Sequence, residues 1–173
     1  SSDSAIIGSV NHGASQWKVA NDERLFNWNH RAGEYSQIIA ASYSPEGDYA
    51  VTATPQTMVL WETESGKGLT YWTAPSEILD IALLGNGNYA LLGLIDHSAA
   101  LFDVKNGGVQ QVFYHQGRVT AVDSFEKKLL IATGSEDYKA RLWNLQSGKV
   151  VHEWEHDDEV QLVKLSPDGT RLF

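Results

Sequence analysis

A pair of aromatic residues eleven positions apart recurs four times along this chain of 173 residues. The pairs are Trp17 and Trp28, Trp61 and Trp72, Phe102 and Phe113, and Trp143 and Trp154. Their leading members follow one another at intervals of 44, 41 and 41 residues. A period near forty is typical of stacked repeats, so we expect function on a surface built by repetition rather than in one catalytic cleft.

Each repeat is made of short β-strand patterns. In the last full repeat, residues 119–123 and 139–143 alternate in strand fashion, and 129–134 is an apolar run typical of a strand buried on both faces. A turn at 146–149 leads to a fourth pattern at 150–154. Four strands in about 41 residues is the spacing of a propeller blade. The sequence therefore predicts an all-β fold of four-stranded antiparallel blades.

The repeats predict a single partial β-propeller over residues 1–173. The longer first interval indicates an insertion near residues 31–34, and insertions in repeat proteins fall in loops. The repeat units are expected at residues 1–30, 31–74, 75–115 and 116–156, with a truncated unit at 157–173. The first and last blades are thus incomplete, and residues 160–165 are expected to be the first strand of the last one.

The net charge of the chain limits the classes of partner that it is expected to bind. The chain carries 13 basic and 22 acidic side chains and a net charge of −9. This balance argues against nucleic acid and against an anionic membrane surface, because both need clustered Lys and Arg. A protein or peptide partner, including a basic one, is compatible with it.

The residues that the sequence lacks exclude several kinds of site. It has no cysteine, which excludes disulfides and thiolate metal sites. No cofactor is predicted. No apolar run approaches the ~18 residues of a membrane span. The start shows no signal-peptide pattern, but a removed signal or lipid anchor would leave no trace, so the compartment is left open.

Short motifs at matching positions resemble the WD40 repeat. The Trp-Asp that ends the third strand in that family appears here as Trp17-Lys18, Trp61-Glu62, Phe102-Asp103 and Trp143-Asn144. Its Ser-Pro-Asp-Gly turn appears at 166–169 and, with Glu for Asp, at 44–47. The resemblance covers nearly the whole chain, with diverged repeats. It implies a WD40-like β-propeller segment of about four repeats.

The same resemblance implies a buried hydrogen-bonded tetrad at His115, Ser135, Asp137 and Trp143. In that arrangement the His pairs with the Asp, and the indole N–H donates to the Ser hydroxyl, which bridges the set. His115, Ser135 and Asp137 could also form a catalytic triad. Because Trp143 completes the structural set and no G-x-S-x-G motif is present, no catalytic residue is predicted.

A metal site is a second alternative. His152 and His156 lie four residues apart, with Asp157 and Asp158 beside them. Closed zinc sites need four well-placed ligands. An exposed strand position and a loop histidine of the next blade explain the pattern better, so no metal is predicted.

The loops at one end of the propeller are the candidate binding surface. By the family resemblance, this rim would include Gln37, Glu77, Arg118, Glu136, Asp157, Asp158 and Glu159. Clustered acids on such a rim would suit a Lys- or Arg-rich peptide. An ordinary solvated rim is the competing interpretation.

These observations predict a non-enzymatic scaffold that binds a protein or peptide partner through its loops. One alternative is a quinone-dependent redox propeller, because Phe102-Asp103 with Gly107, and Trp143-Asn144 with Gly148, are similar to the docking motif of those enzymes. The later aromatic of each repeat lies two residues too far on for that motif. A propeller assembly factor outside the WD40 family is another alternative.

The number of repeats bears on assembly, because WD40 propellers usually have seven or eight blades. Either the rest of a longer chain completes the ring, or two copies form an eight-bladed homodimer. In the homodimer, residues 160–165 of one copy would lie beside residues 5–8 of the other.

Overall fold

The computed structural model describes residues 3–30 and 37–173, which form one three-stranded and three four-stranded antiparallel sheets. The all-β prediction is confirmed. The strands are, in chain order, β1 (Ser4–Gly8), β2 (Ala14–Lys18), β3 (Glu23–Trp28), β4 (Ala40–Tyr43), β5 (Tyr49–Ala53), β6 (Thr57–Glu62), β7 (Gly68–Thr73), β8 (Ile78–Leu84), β9 (Tyr89–Leu94), β10 (Ser98–Asp103), β11 (Val109–Tyr114), β12 (Val119–Phe125), β13 (Leu130–Ser135), β14 (Lys139–Asn144) and β15 (Val150–Glu155). No helix in the described ranges is long and apolar enough to cross a membrane.

Each sheet is a blade whose strands follow chain order, so β1–β3, β4–β7, β8–β11 and β12–β15 form the first to fourth blades. In every complete blade, the turn between the third and fourth strands contains a glycine with positive φ, namely Gly66, Gly107 or Gly148. Glycine adopts this left-handed conformation without steric cost. The blades have the four-stranded, WD40-like form that the sequence predicts.

The blades stack side by side through their first strands, with β4 against β8 and β8 against β12. These strands belong to different sheets, so their facing N–H groups have no backbone ladder partner. Side chains of the preceding blade accept from them instead. The bonds run from Leu83 N to Ser42 Oγ (3.2 Å), from Val122 N to Asp80 Oδ2 (2.9 Å) and from Leu165 N to Asp123 Oδ2 (2.7 Å). Backbone donors are thereby satisfied at these three contacts.

The repeated aromatics form the joints between blades. Ring centroids are 5.2 Å apart for Trp28 and Trp61, 6.0 Å for Trp72 and Phe102, and 5.4 Å for Phe113 and Trp143. At these three joints, the trailing aromatic of one blade therefore faces the leading aromatic of the next. Buried aromatic contacts of this kind add roughly 0.5–1.5 kcal/mol beyond the area that they remove from water.

The structure corrects the prediction for the end of the chain. Residues 160–165 do not form a strand, and the described part of 157–173 contains one isolated bridge, between Leu165 and Leu172. A strand needs a neighbour to pair with along its length, and only residues 171–173 lie opposite. Val160 and Val163 are nevertheless buried against the fourth blade. The insertion predicted near residues 31–34 lies outside the described residues, and the unit boundaries stay a prediction.

Candidate functional site

A buried polar network lies between the third and fourth blades. His115, in the loop after β11, directs its Nδ1 atom toward Asp137 Oδ2 at 3.0 Å and its Nε2 atom toward Thr133 Oγ1 at 2.7 Å. Thr133 Oγ1 also accepts the indole N–H of Trp143 at 2.8 Å. A loop, a strand and a turn are thus joined by one chain of hydrogen bonds.

The bridging hydroxyl of this network is Thr133, so the prediction of Ser135 in that role was wrong. Trp143 pairs with Ile131, and its indole reaches the diagonal neighbour Thr133. Alternate residues of a strand share a face, and Ser135 lies two positions farther along β13. There the Ser135 hydroxyl accepts the Asp137 N–H at 3.1 Å and stabilises the turn.

The protonation of His115 is set by its surroundings. Burial and then the nearby Arg141 cation lower its pKa, against the opposing effect of Asp137, to about 4. The imidazole is therefore neutral at pH 7. His115 Nδ1 faces both the Asp137 carboxylate and the Arg141 guanidinium, and Nε2 faces the Thr133 hydroxyl.

The order carboxylate, imidazole and hydroxyl resembles that of a hydrolase triad. However, Thr133 is 0% exposed, and its oxygen already accepts from Trp143. A nucleophile must reach substrate in a pocket, and this hydroxyl reaches none. The network holds two blades together and has no access for chemistry.

Charged side chains surround the network. Arg141 lies between Asp137 Oδ2 (3.0 Å from its Nη1) and Glu153 Oε2 (2.6 Å from its Nε), and it is 8% exposed. Burial opposes ionisation of Asp137, but the Gln116 N–H and the His115 and Arg141 partners lower its pKa overall. The repeat pattern did not identify Arg141 as a site residue, because the other repeats have no charged residue at this position.

The second blade contains a related network that the sequence did not reveal. His30 Nε2 lies 2.9 Å from Thr52 Oγ1, which accepts the Trp61 indole N–H at 2.8 Å. The Thr57 hydroxyl, 2.8 Å from His30 Nδ1, replaces the aspartate. The recurrence of His, Thr and Trp at matching positions was the signal that could have identified it.

The paired histidines near the end of the chain are separate from this network. The His152 ring lies 5.5 Å from that of Trp154, and the His156 backbone N–H donates to Tyr138 O at 2.8 Å. Over residues 3–30 and 37–173, no group of three or more His, Asp or Glu side chains is placed to hold a metal ion.

The predicted rim residues occupy loops at the ends of the blades. Glu77 and Arg118 directly precede β8 and β12, and their carbonyls accept from Ile95 N (2.9 Å) and Glu136 N (3.0 Å). The residue before the first strand of each of these blades is thereby hydrogen-bonded to the turn between the second and third strands. The exposed members of the set are Gln37, Glu77, Arg118, Asp157, Asp158 and Glu159, and Glu136 is half-buried.

Charge is distributed unevenly along these loops. Arg118 Nε lies 3.7 Å from Glu136 Oε2, and the two side chains are 50% and 30% exposed. Exposed pairs of this kind contribute about 0–1 kcal/mol. Glu77 and the acidic run 157–159 have no basic partner among the described ion pairs. The acidic surplus therefore lies on either side of Arg118.

Comparison with known proteins gives two results. Residues 107–144 match the WD40 family, described as WD domain, G-beta repeat. Eukaryotic translation initiation factor 3 subunit I of Pyricularia oryzae is 45% identical over 59 residues, which cover 34% of this chain and 17% of that protein. Its counterpart in Phaeosphaeria nodorum is 36% identical over 90 residues, or 51% of this chain and 26% of that protein. The matched stretches thus span about a quarter or less of these relatives.

Proposed function

We propose that this chain, a WD40-repeat β-propeller segment, is a non-enzymatic scaffold that binds a protein partner through the loops at one end of its blades. The observation that carries the proposal is the recurrence of exposed charged residues, Glu77, Arg118 and Glu159, at the same position of consecutive repeat units. Loops on a rigid repeat scaffold are suited to binding. The relatives support a protein partner, because they are named as subunits of a translation initiation factor.

The partner surface that we propose is basic. Glu77 and residues 157–159 are exposed and lack basic partners among the described ion pairs, which leaves a surplus of negative charge around Arg118. A Lys- or Arg-rich segment would complement this surplus, and electrostatic complementarity chiefly raises association rate and specificity. Binding is therefore expected to weaken as salt increases. The comparisons give no support to a quinone-dependent enzyme.

A charge-reversal experiment tests the rim. Changing Glu77, Glu136 and Glu159 to Lys should abolish binding of a Lys-rich synthetic peptide, measured by fluorescence anisotropy at low salt. Glu77 and Glu159 are exposed and Glu136 is half-buried, so the melting temperature should stay nearly constant. Loss of binding with an intact fold would support the proposal.

A matched variant provides the control. Glu46, Asp48 and Glu64 are exposed acids beside the opposite turns of the second blade, and their change to Lys alters net charge by the same amount. This control should bind with a smaller loss. Equal losses in both variants would show that total charge, and not the rim, attracts the peptide, and unchanged binding in the rim variant would refute the assignment.

We also propose what lies beside the first and fourth blades. The lengths of the relatives support a place within a larger translation initiation factor subunit, where neighbouring repeats would continue the stack. The alternative to this arrangement is an eight-bladed homodimer. Residues 160–165 would then lie near residues 5–8 of the second copy.

A further inference from the structure

The ends of the third and fourth blades that lie opposite to the rim carry basic side chains. Successive strands of a blade are antiparallel, so the turns after the first strand and after the third strand lie at this end, and we call them the lower turns. In these two blades they comprise residues 85–88, 104–108, 126–129 and 145–149. Their exposed charged residues are Lys105, Lys127, Lys128 and Lys149. The Lys128 ammonium donates to Gly169 O at 3.0 Å, and the other three ammonium groups have no hydrogen bond among the described residues.

Acidic side chains do not balance these lysines. None of the four takes part in an ion pair among the described residues. Asp103 and Glu126 are the acids in or directly beside the same turns, and both are half-buried. Asp103 Oδ1 accepts the N–H groups of Lys105 at 3.0 Å and of Asn106 at 2.9 Å, so this carboxylate is engaged by its own turn. The lower turns of these blades thus carry a positive surplus in a chain of net charge −9.

The lower turns of the two blades adjoin one another. Within the fourth blade, the Leu145 N–H donates to Leu129 O at 2.7 Å and links its two lower turns. Across the joint, the Gln111 amide, in the orientation that satisfies both its atoms, donates to Leu145 O at 2.8 Å. Gln111 lies on β11, which begins directly after the turn that contains Lys105. The lysines therefore share one surface that crosses the joint between the third and fourth blades.

Positions in the lower turns stay exposed where a blade has a neighbour on each side. Lys105 belongs to the third blade, which packs between the second and the fourth. In that blade, Asn86 and Gly108 occupy the repeat positions of Lys127 and Lys149, and both are exposed. A following blade therefore leaves the positions of these two lysines open.

The lower turns of the second blade have the opposite charge. Their exposed acids are Glu46, Asp48 and Glu64. Glu64 occupies the repeat position of Lys105, and Lys67, at the repeat position of Lys149, is the one basic residue of turns 44–48 and 63–67. The positive surface therefore ends at the boundary between the second and third blades.

We propose that the lower turns of the third and fourth blades bind an acidic segment of a partner protein, whose carboxylates contact Lys105, Lys127 and Lys149. Opposite charges steer association and set the orientation of the partner. A short acidic segment can contact this end alone, whereas a long polyanion such as RNA is repelled by the rest of a chain of net charge −9. The surface is separate from the rim, so the chain would hold a basic and an acidic partner at opposite ends of its blades.

Fluorescence anisotropy with a labelled Glu-rich synthetic peptide, measured with the full chain at low salt, tests this surface. The peptide should bind although the chain is negative overall. Changing Lys105, Lys127 and Lys149 to Glu should weaken binding roughly 30-fold, or about threefold for each exposed charge pair that is lost. The three side chains are exposed, so the melting temperature should stay nearly constant.

Two single variants at the same repeat position provide the matched control. Lys149→Glu should weaken binding about threefold, whereas Lys67→Glu, which is exposed among the acids of the second blade, should leave it nearly unchanged. Both alter the net charge by the same amount. A wild-type chain that does not bind the peptide, equal losses in the two variants, or tighter binding of a single-stranded RNA of equal charge would overturn the proposal. Because these variants leave the rim intact, such a result would not refute the binding of a basic partner there.

Discussion

At the scale of single residues, the joint between the third and fourth blades depends on one hydroxyl group. The repeat register identified His115, Asp137 and Trp143 as partners, because their residue types and spacing match the family motif. It assigned the bridging hydroxyl to Ser135, but the bridge is Thr133, which lies on the same strand face two positions away. Only the pairing of Trp143 with Ile131 shows which hydroxyl the indole reaches.

Substitution of the two hydroxyls should separate their roles. Thr133→Val leaves the buried Trp143 N–H without an acceptor and should lower the free energy of unfolding by about 2–3 kcal/mol. Ser135→Ala removes only a turn bond and should cost about 1 kcal/mol or less. Urea denaturation measures both, and Thr133→Ser is the control that keeps the acceptor. A larger loss for Ser135→Ala would contradict the bridging role of Thr133.

At the scale of the blade, blades with the same four-stranded fold are joined by different kinds of side chain. The second and fourth blades use His30 and His115 against threonines, whereas the third blade has Leu92 in the place of Thr133 and packs it in an apolar cluster. The sequence predicted the strands and their order, because local alternation and turn residues repeat. It predicted the joints less well, because their partners come from different blades and the same position can be polar or apolar.

The histidine joints should make stability depend on pH. Burial lowers the pKa of both His30 and His115 to about 4, below their ordinary value near 6.5. The folded state therefore disfavours their protonation. This contribution is fully present above pH 6.5 and is lost as pH falls from about 6.5 to about 4, by at most about 3 kcal/mol for each.

Thermal unfolding across this pH range measures the effect. His115→Gln should lower stability at pH 7 and also reduce its dependence on pH between 6.5 and 4. His156→Gln is the control, since this histidine is exposed. A wild-type stability that is constant over this range would show that the two buried imidazoles do not titrate as the structure requires.

At the scale of the whole molecule, the aromatic pairs join each described blade to its neighbours in a linear stack. The period and the all-β fold follow from the sequence, because repetition leaves a regular signal. The state of residues 160–165 did not follow, since strand formation requires a pairing partner that the local pattern does not specify. Stability in such a stack is close to a sum over blades and joints.

Hydrogen exchange should reveal this linear arrangement. The third blade is packed on both sides, by the apolar clusters around Leu92 and around Leu91, whereas in the described residues β1–β3 is packed on one side. Amides of β9 and β10 should therefore exchange slowest and those of β1 and β2 fastest, because local opening is easiest where fewest contacts break.

A substitution extends the exchange measurement. Leu92→Ala, at a fully buried position, should cost about 2–5 kcal/mol and should raise exchange mainly in the second and third blades. Leu69→Ala, at a position that is 41% exposed, is the control. Equal protection of all four blades, with Leu92→Ala raising exchange uniformly, would mean that the stack unfolds as one cooperative unit, and nearest-neighbour contacts would then not describe its stability.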